Sequence, residues 1–148
     1  MANPLIDQGV LNRLRGSVVI PNLPNLNVTA PYLGKPGIRL SLTGETATGY
    51  PTMTGVVQSP EPFQVAEVTV SLLRTQGLAD LYKQQMELNV LLGPIKVYPD
   101  VTAGGISSYY FENVTIASVG EQSFAGDDPA FGIMLRGQYY LNSALWTA

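Results

Sequence analysis

The chain has 148 residues, enough for one domain with a sizeable core, and a formal charge of −3. Hydrophobic residues make up 45% of it and charged residues only 13%, about half the usual share for a soluble domain. Cysteine and histidine are both absent, which excludes a disulfide scaffold, a thiolate nucleophile and the commonest metal ligands, and removes the commonest general base at neutral pH.

Taken in order, Met1–Arg15 reads as a short amphipathic helix over Asp7–Leu14 or as an arm. Leu5, Ile6, Val10, Leu11 and Leu14 are too many apolar side chains for a free tail, so they are expected to pack on the domain or on a neighbour. Ser17–Ile20 is a short apolar strand. Pro21, Pro24 and Pro31 hold the next stretch at an edge or in an extended arm, with Leu26 and Val28 alternating inside it. Gly34–Gly37 reads as a turn in which Gly37 supplies a backbone angle closed to Lys or Pro. Ile38, Leu40 and Leu42 alternate with polar residues as a strand. Residues 43–60 carry three glycines and many threonines without a strong apolar face, which fits either an extended loop or a hairpin with legs near Thr46–Tyr50 and Met53–Gln58.

Glu61–Asp100 is the centre of the chain. Val68, Val70 and Leu72 form a half-buried strand pattern, and Phe63 and Val65, on the opposite parity, call for a bulge near Ala66. A helix follows over Gln76–Leu88, with Leu78, Leu81, Tyr82, Gln85 and Leu88 on one stripe, widened by Met86 and Asn89, and a stop at Gly93–Pro94. The stripe is expected to cover one face of a sheet. Ile95, Val97 and Tyr98 begin another strand, and Gly104–Gly105 marks a hairpin turn. Tyr109–Val119 and Phe131–Leu141 are strong strands, the second with Gly137 permitting curvature. Leu145 and Trp146 are expected to pack on their own domain or a neighbour. About six or seven strands with a single helix give a mainly β fold: an antiparallel sandwich or partly closed barrel with one flanking helix, since a parallel sheet would need more crossover helices.

Chemistry is sparse. The basic residues Arg13, Arg15, Lys35, Arg39, Arg74, Lys83, Lys96 and Arg136 are scattered, so no nucleic-acid groove is expected. No run reaches about 18 apolar residues, so stable membrane insertion as a helix is not expected, and the N-terminal residues lack a signal-peptide apolar core, which predicts synthesis in a cytoplasm. Asp127–Asp128, with Glu121 nearby, is the tightest acidic group; it reads as a solvated or subunit-facing turn sooner than a Ca²⁺ site, with Asp128 capping that turn. Glu67 and Glu112 lie in strands and read as ion-pair partners of Arg74 and Arg136, or as carboxylates facing across a cleft. No phosphate loop, dinucleotide loop or nucleophile elbow occurs. No catalytic role, metal or cofactor is expected. Exposed Tyr50, Tyr109 and Tyr140 leave a carbohydrate- or receptor-binding sandwich as an alternative. The low charge content itself predicts a surface covered by other subunits.

Three stretches, NLNVTAPYLGKPGIRLSLTG, SPEPFQVAEVTVSLLRTQGLADLYKQQME and FENVTIASV…SFAGDDPAFGIMLRGQYYLNSALW, together resemble the tail tube proteins of contractile-tailed bacteriophages. The resemblance implies a single ring-forming domain over 1–148, with residues 1–15 as an N-terminal stacking arm (Leu5, Ile6, Val10, Leu11, Leu14) and residues 43–60 as an extended loop or hairpin carrying contacts through Tyr50 and Met53. It implies hexameric rings stacked into a channel for DNA delivery. The helix would lie on the outer wall, and acids among Glu45, Glu67, Glu112, Glu121, Asp127 and Asp128 would face the lumen. Implied partners are the protein itself, the tail sheath, the tape measure, and baseplate or terminator proteins, with DNA as unbound cargo. The expected location is the virion. Another ring-forming tail or injection-device component, an initiator or terminator, is the nearest alternative.

Overall fold

Period-two alternation builds one large antiparallel sheet in the computed structural model, which describes residues 8–101 and 105–146. Its strands are β1 (Ser17–Val19), β2 (Leu33–Thr43), β5 (Phe63–Leu73), β6 (Leu91–Tyr98), β7 (Tyr109–Val119) and β8 (Ala130–Tyr140). Two more, β3 (Ala47–Pro51) and β4 (Val56–Pro60), pair only with each other, and the helices are α1 (Gly77–Leu88) and the short α2 (Ser143–Trp146). The described residues thus hold eight strands. The large sheet runs β1-β6-β7-β8-β5-β2 and curls into a half-barrel around the core, the partly closed β architecture expected from the sequence.

One face of every long strand feeds that core. Ala66, Val68, Val70 and Leu72 of β5 lie against Ile133 and Leu135 of β8, Phe111, Val114 and Ile116 of β7, and Leu92, Ile95 and Val97 of β6. β5 pairs with β8 without interruption from Phe63↔Tyr140 to Leu73↔Ala130. The expected bulge at Ala66 is therefore absent. Phe63 and Val65 simply take the outer face, and Gln64, on the inner parity, is buried with its side-chain amide donating to the Gly44 carbonyl at 2.8 Å.

The irregularities lie elsewhere. Asn113 has φ +52°, and the β7–β8 register shifts between Glu112 and Thr115. The shift moves the buried set from Phe111 to Val114 and Ile116, so neither sequence parity of β7 is the core face along its whole length. Opposite this bulge Gly137 has no room for a side chain: a Cβ there would lie 2.5 Å from Val114 Cγ2 and 3.1 Å from the Glu112 carbonyl oxygen. Gly37 adopts φ +67° and lies inside β2, where the pairing with β5 jumps from Leu33 to Ile38; the turn expected at Gly34–Gly37 is a bulge within one long strand. Gly93–Pro94 likewise lie inside β6, with Gly93 at φ +79°, and do not mark the helix end.

α1 ends at Leu88, and its cap Asn89 is extended with its N–H donating to Gln85 O. Asp80 in the first turn suits the positive end of the helix dipole. The buried face is Leu78, Ala79 and Tyr82, with Met86 packed beside them. Leu81 and Leu88, expected in the stripe, are exposed. The helix covers the segment between β1 and β2, where two single 3-10 turns, Pro24–Leu26 and Ala30–Tyr32, replace the expected extended arm. Leu26 and Val28 are buried there, and Val28 bridges to Val18. The Tyr82 hydroxyl donates to the Leu26 carbonyl at 2.6 Å, tying helix to turn across the core.

Candidate assembly surfaces

Three surfaces of the described residues present exposed apolar side chains or an open strand edge. The first is the β3–β4 hairpin. Thr46–Pro60 contains no charged residue, and nearly every position on both legs is exposed. Thr52 and Gly55 close its tip through mutual hydrogen bonds: Thr52 N–H donates to Gly55 O at 2.7 Å, and Gly55 N–H to Thr52 Oγ1 at 3.0 Å. Met53 at the tip is fully exposed, and Tyr50, Val56 and Val57 are more than half exposed. A lone two-stranded ribbon is marginal in water.

This ribbon is held at its root. Asn142, in a left-handed conformation, donates through its side-chain amide to Glu61 O at 2.8 Å and Thr46 O at 3.3 Å. Glu61 N–H donates to Thr46 O, Leu141 N–H to Pro62 O, and Thr48 Oγ1 to the Glu61 carboxylate at 2.9 Å. The end of β8 thus grips both legs. Asn142, Glu61 and Gln64 carry this positioning and were not singled out by sequence pattern; a polar residue just beyond a strand reads only as a turn former until its distant partner is known.

The second surface is the free edge of β2, the end strand of the sheet. Eleven residues long, with Ile38, Leu40 and Leu42 only half-buried, it is an open template for another strand. At the sheet's opposite end β1 is three residues long and already bridged to Val28.

The third is the N-terminal arm. Leu5 and Ile6 lie outside the described residues. Residues 8–14 form no helix; Leu11 bridges to Val101, and Asn12 N–H donates to Asp100 O. Val10, Leu11 and Leu14 are 68–78% exposed. On the other side of the hairpin root, Trp146 meets Tyr140 edge-on at 5.3 Å and donates to Leu141 O at 3.2 Å, while remaining more than half exposed.

The acids are not gathered. Glu67 and Glu112 lie on the outer face of the sheet, on β5 and β7, with β8 between them. Glu67 pairs with Arg136 at 3.3 Å, not with Arg74, so neither pairing expected for the two glutamates forms. Arg39 and Lys96 share that face, which makes it mixed in charge. Glu45 lies between β2 and β3, and Glu121, Asp127 and Asp128 lie in the β7–β8 loop. Asp128 Oδ1 accepts from Ala130 N–H at 3.0 Å, the turn-capping role expected of it. Arg74 fastens this loop by donating to the carbonyls of Ala125 and Asp128. No group of three or more potential metal ligands forms among the described residues. The three tyrosines do not form one patch. Tyr109 is half-buried among Phe111 and Tyr139 on the core side, Tyr140 is on the outer face, and Tyr50 is on the hairpin.

No protein-family model matches the chain, and no curated protein matches it. Among solved structures, a cryo-EM structure of the anti-feeding prophage cap, a tube-terminating cap, shares the fold with a TM-score of 0.52. The two are 15% identical over 93% of this chain and 92% of that one.

Proposed function

We propose that this chain is a ring-forming structural component of a contractile tail or injection apparatus, of the terminating or cap class rather than the repeated tube subunit. The observation that carries the reading is the fold correspondence with a tube-terminating cap over nearly the full length of both chains. The open edge of β2 and the neutral, rooted hairpin support it, because both are surfaces that a monomer leaves unsatisfied. Heterologous contacts of this kind close into a ring or run on into a filament.

In this reading β2 serves lateral neighbours, and Tyr50 and Met53 on the hairpin reach an adjoining layer. α1 lies on the wall away from the axis. The partners are further copies of the chain, the last ring of a tube, and the sheath, tape-measure and baseplate proteins of the same particle, and the protein resides in that particle. A DNA channel lined by acids has less support, since Glu67 is paired and Arg39, Lys96 and Arg136 share its face. No catalytic role enters the proposal.

Negative-stain microscopy and sedimentation of the purified chain test it. Rings that stop at one or two layers are expected. Long tubes of even bore would transfer the protein to the repeated tube subunit, and a stable monomer at high concentration would remove both readings.

A further inference from the structure

The outer face of the sheet carries an aromatic strip near the hairpin root. Tyr109 and Tyr139 meet on the core side with ring centroids 5.6 Å apart, so the next residue of each strand, Tyr110 on β7 and Tyr140 on β8, turns outward. On β5, Phe63 is the register partner of Tyr140 and faces the same way. Trp146 of α2 stands against Tyr140 with centroids 5.3 Å apart and planes at 86°, which makes a right-angled aromatic corner. The four side chains are 41–57% exposed. Trp146 Nε1–H donates to Leu141 O at 3.2 Å, and Tyr140 Oη–H donates to Gln138 Oε1 at 3.1 Å. The protein itself holds both polar tips, so the corner keeps its angle without a ligand and binding does not have to order it.

Polar groups border the strip. Gln138 Oε1 also accepts from Asn113 Nδ2 at 3.0 Å. Both lone pairs of that oxygen are then taken, which leaves the Gln138 NH2 group as a donor and the Asn113 side-chain carbonyl as an acceptor for a ligand. Sheet register puts Lys96 opposite Tyr110 and Glu112 opposite Gln138. One charge of each sign gives no net attraction for a chain of phosphates. The strip therefore suits a neutral ligand with an apolar face and a hydroxylated rim. We propose that it binds a neutral pyranose sugar chain. The C–H groups on one face of a pyranose are weakly positive and meet the negative face of an aromatic ring, while the hydroxyls around it exchange hydrogen bonds with amides. From β7 across β8 to β5 is two interstrand spacings, about 10 Å, which accommodates a disaccharide. The proposal goes beyond the ring-forming reading and does not depend on it.

Trp146 is the single tryptophan of the chain, so its fluorescence reports this corner directly. The full-length protein is titrated with cellohexaose, maltohexaose, mannohexaose and chitohexaose, and with oligothymidylate for comparison. A saturable change in Trp146 emission with at least one sugar is expected. In calorimetric titration, Tyr140→Ala and Tyr110→Ala should each weaken that binding by about tenfold with the circular dichroism spectrum unchanged, while Tyr50→Ala on the hairpin leaves it intact. No saturable change with any of the four sugars overturns the proposal. Tighter binding of oligothymidylate does so too, since the strip would then be a base-stacking platform. Emission that shifts with protein concentration and ignores sugar would make the strip a contact between copies, which removes the sugar site and leaves the ring reading standing. Sugar binding by a chain that forms no rings does the reverse.

Discussion

Replacing Tyr82 by Phe isolates one hydrogen bond that joins the helix to the rest of the fold. The ring is 1% exposed, and its hydroxyl donates at 2.6 Å to the carbonyl of Leu26, itself 1% exposed. Phe keeps the packing but leaves that carbonyl buried without its donor, at a cost of about 1–3 kcal/mol. For a chain of this size the loss lowers the melting temperature by roughly 2–12 °C. Burial also raises the Tyr82 pKa far above its ordinary value. The unfolded chain therefore ionises Tyr82 above about pH 10 while the folded chain keeps its proton, so the folded state binds more protons and stability falls as pH rises. That fall reaches about 1.4 kcal/mol per pH unit, and the Phe variant lacks it. Thermal and urea unfolding followed by circular dichroism at pH 7 and at pH 9–11 should show a wild-type advantage that is full at neutral pH and shrinks above pH 10. Equal stability at pH 7, or an advantage unchanged to pH 11, would refute the reasoning.

Gly137→Ala forces a methyl group against Val114 and the Glu112 carbonyl, and should destabilise the domain by about 1–3 kcal/mol in urea unfolding; a variant as stable as wild type would show that β7 yields freely. A double-mutant cycle on Glu67 and Arg136 should give a coupling below about 1 kcal/mol that declines with salt, because both side chains are substantially solvated; a larger, salt-insensitive coupling would mean that assembly buries the pair. Tyr50→Ser with Met53→Ser should leave the circular dichroism spectrum unchanged while reducing layer-to-layer association in sedimentation. Association at the wild-type level would remove the hairpin from the contact.

Much of the architecture was legible because it depends on neighbours in sequence. Tyr109–Val119 and the Phe131–Leu141 run show their period directly and differ from the observed strands by at most a residue. The helix is found over Gly77–Leu88 for the same reason. Its buried face was harder to read. Leu78, Leu81, Tyr82, Gln85 and Leu88 share a stripe, but the surface available to cover is the Pro24–Leu26 turn and part of β5, which selects Leu78, Ala79, Tyr82 and Met86 and leaves Leu88 in solvent. A bulge is similarly a property of two strands. Nothing in β7 alone says that Asn113 will step out of register, because the step depends on what β8 places opposite it.

The sequence by itself determined the mainly β class, the single long helix, the scarcity of charge and the absence of thiol and imidazole chemistry, all of which follow from composition and short-range periodicity. Tertiary structure alone decided that residues 47–60 form a rooted ribbon rather than a loop, through Asn142 some eighty residues away. It alone decided that β2 ends the sheet and that Glu67 meets Arg136. Strand order brings distant residues together, and the energies that choose it are cross-strand and core contacts that no local pattern encodes.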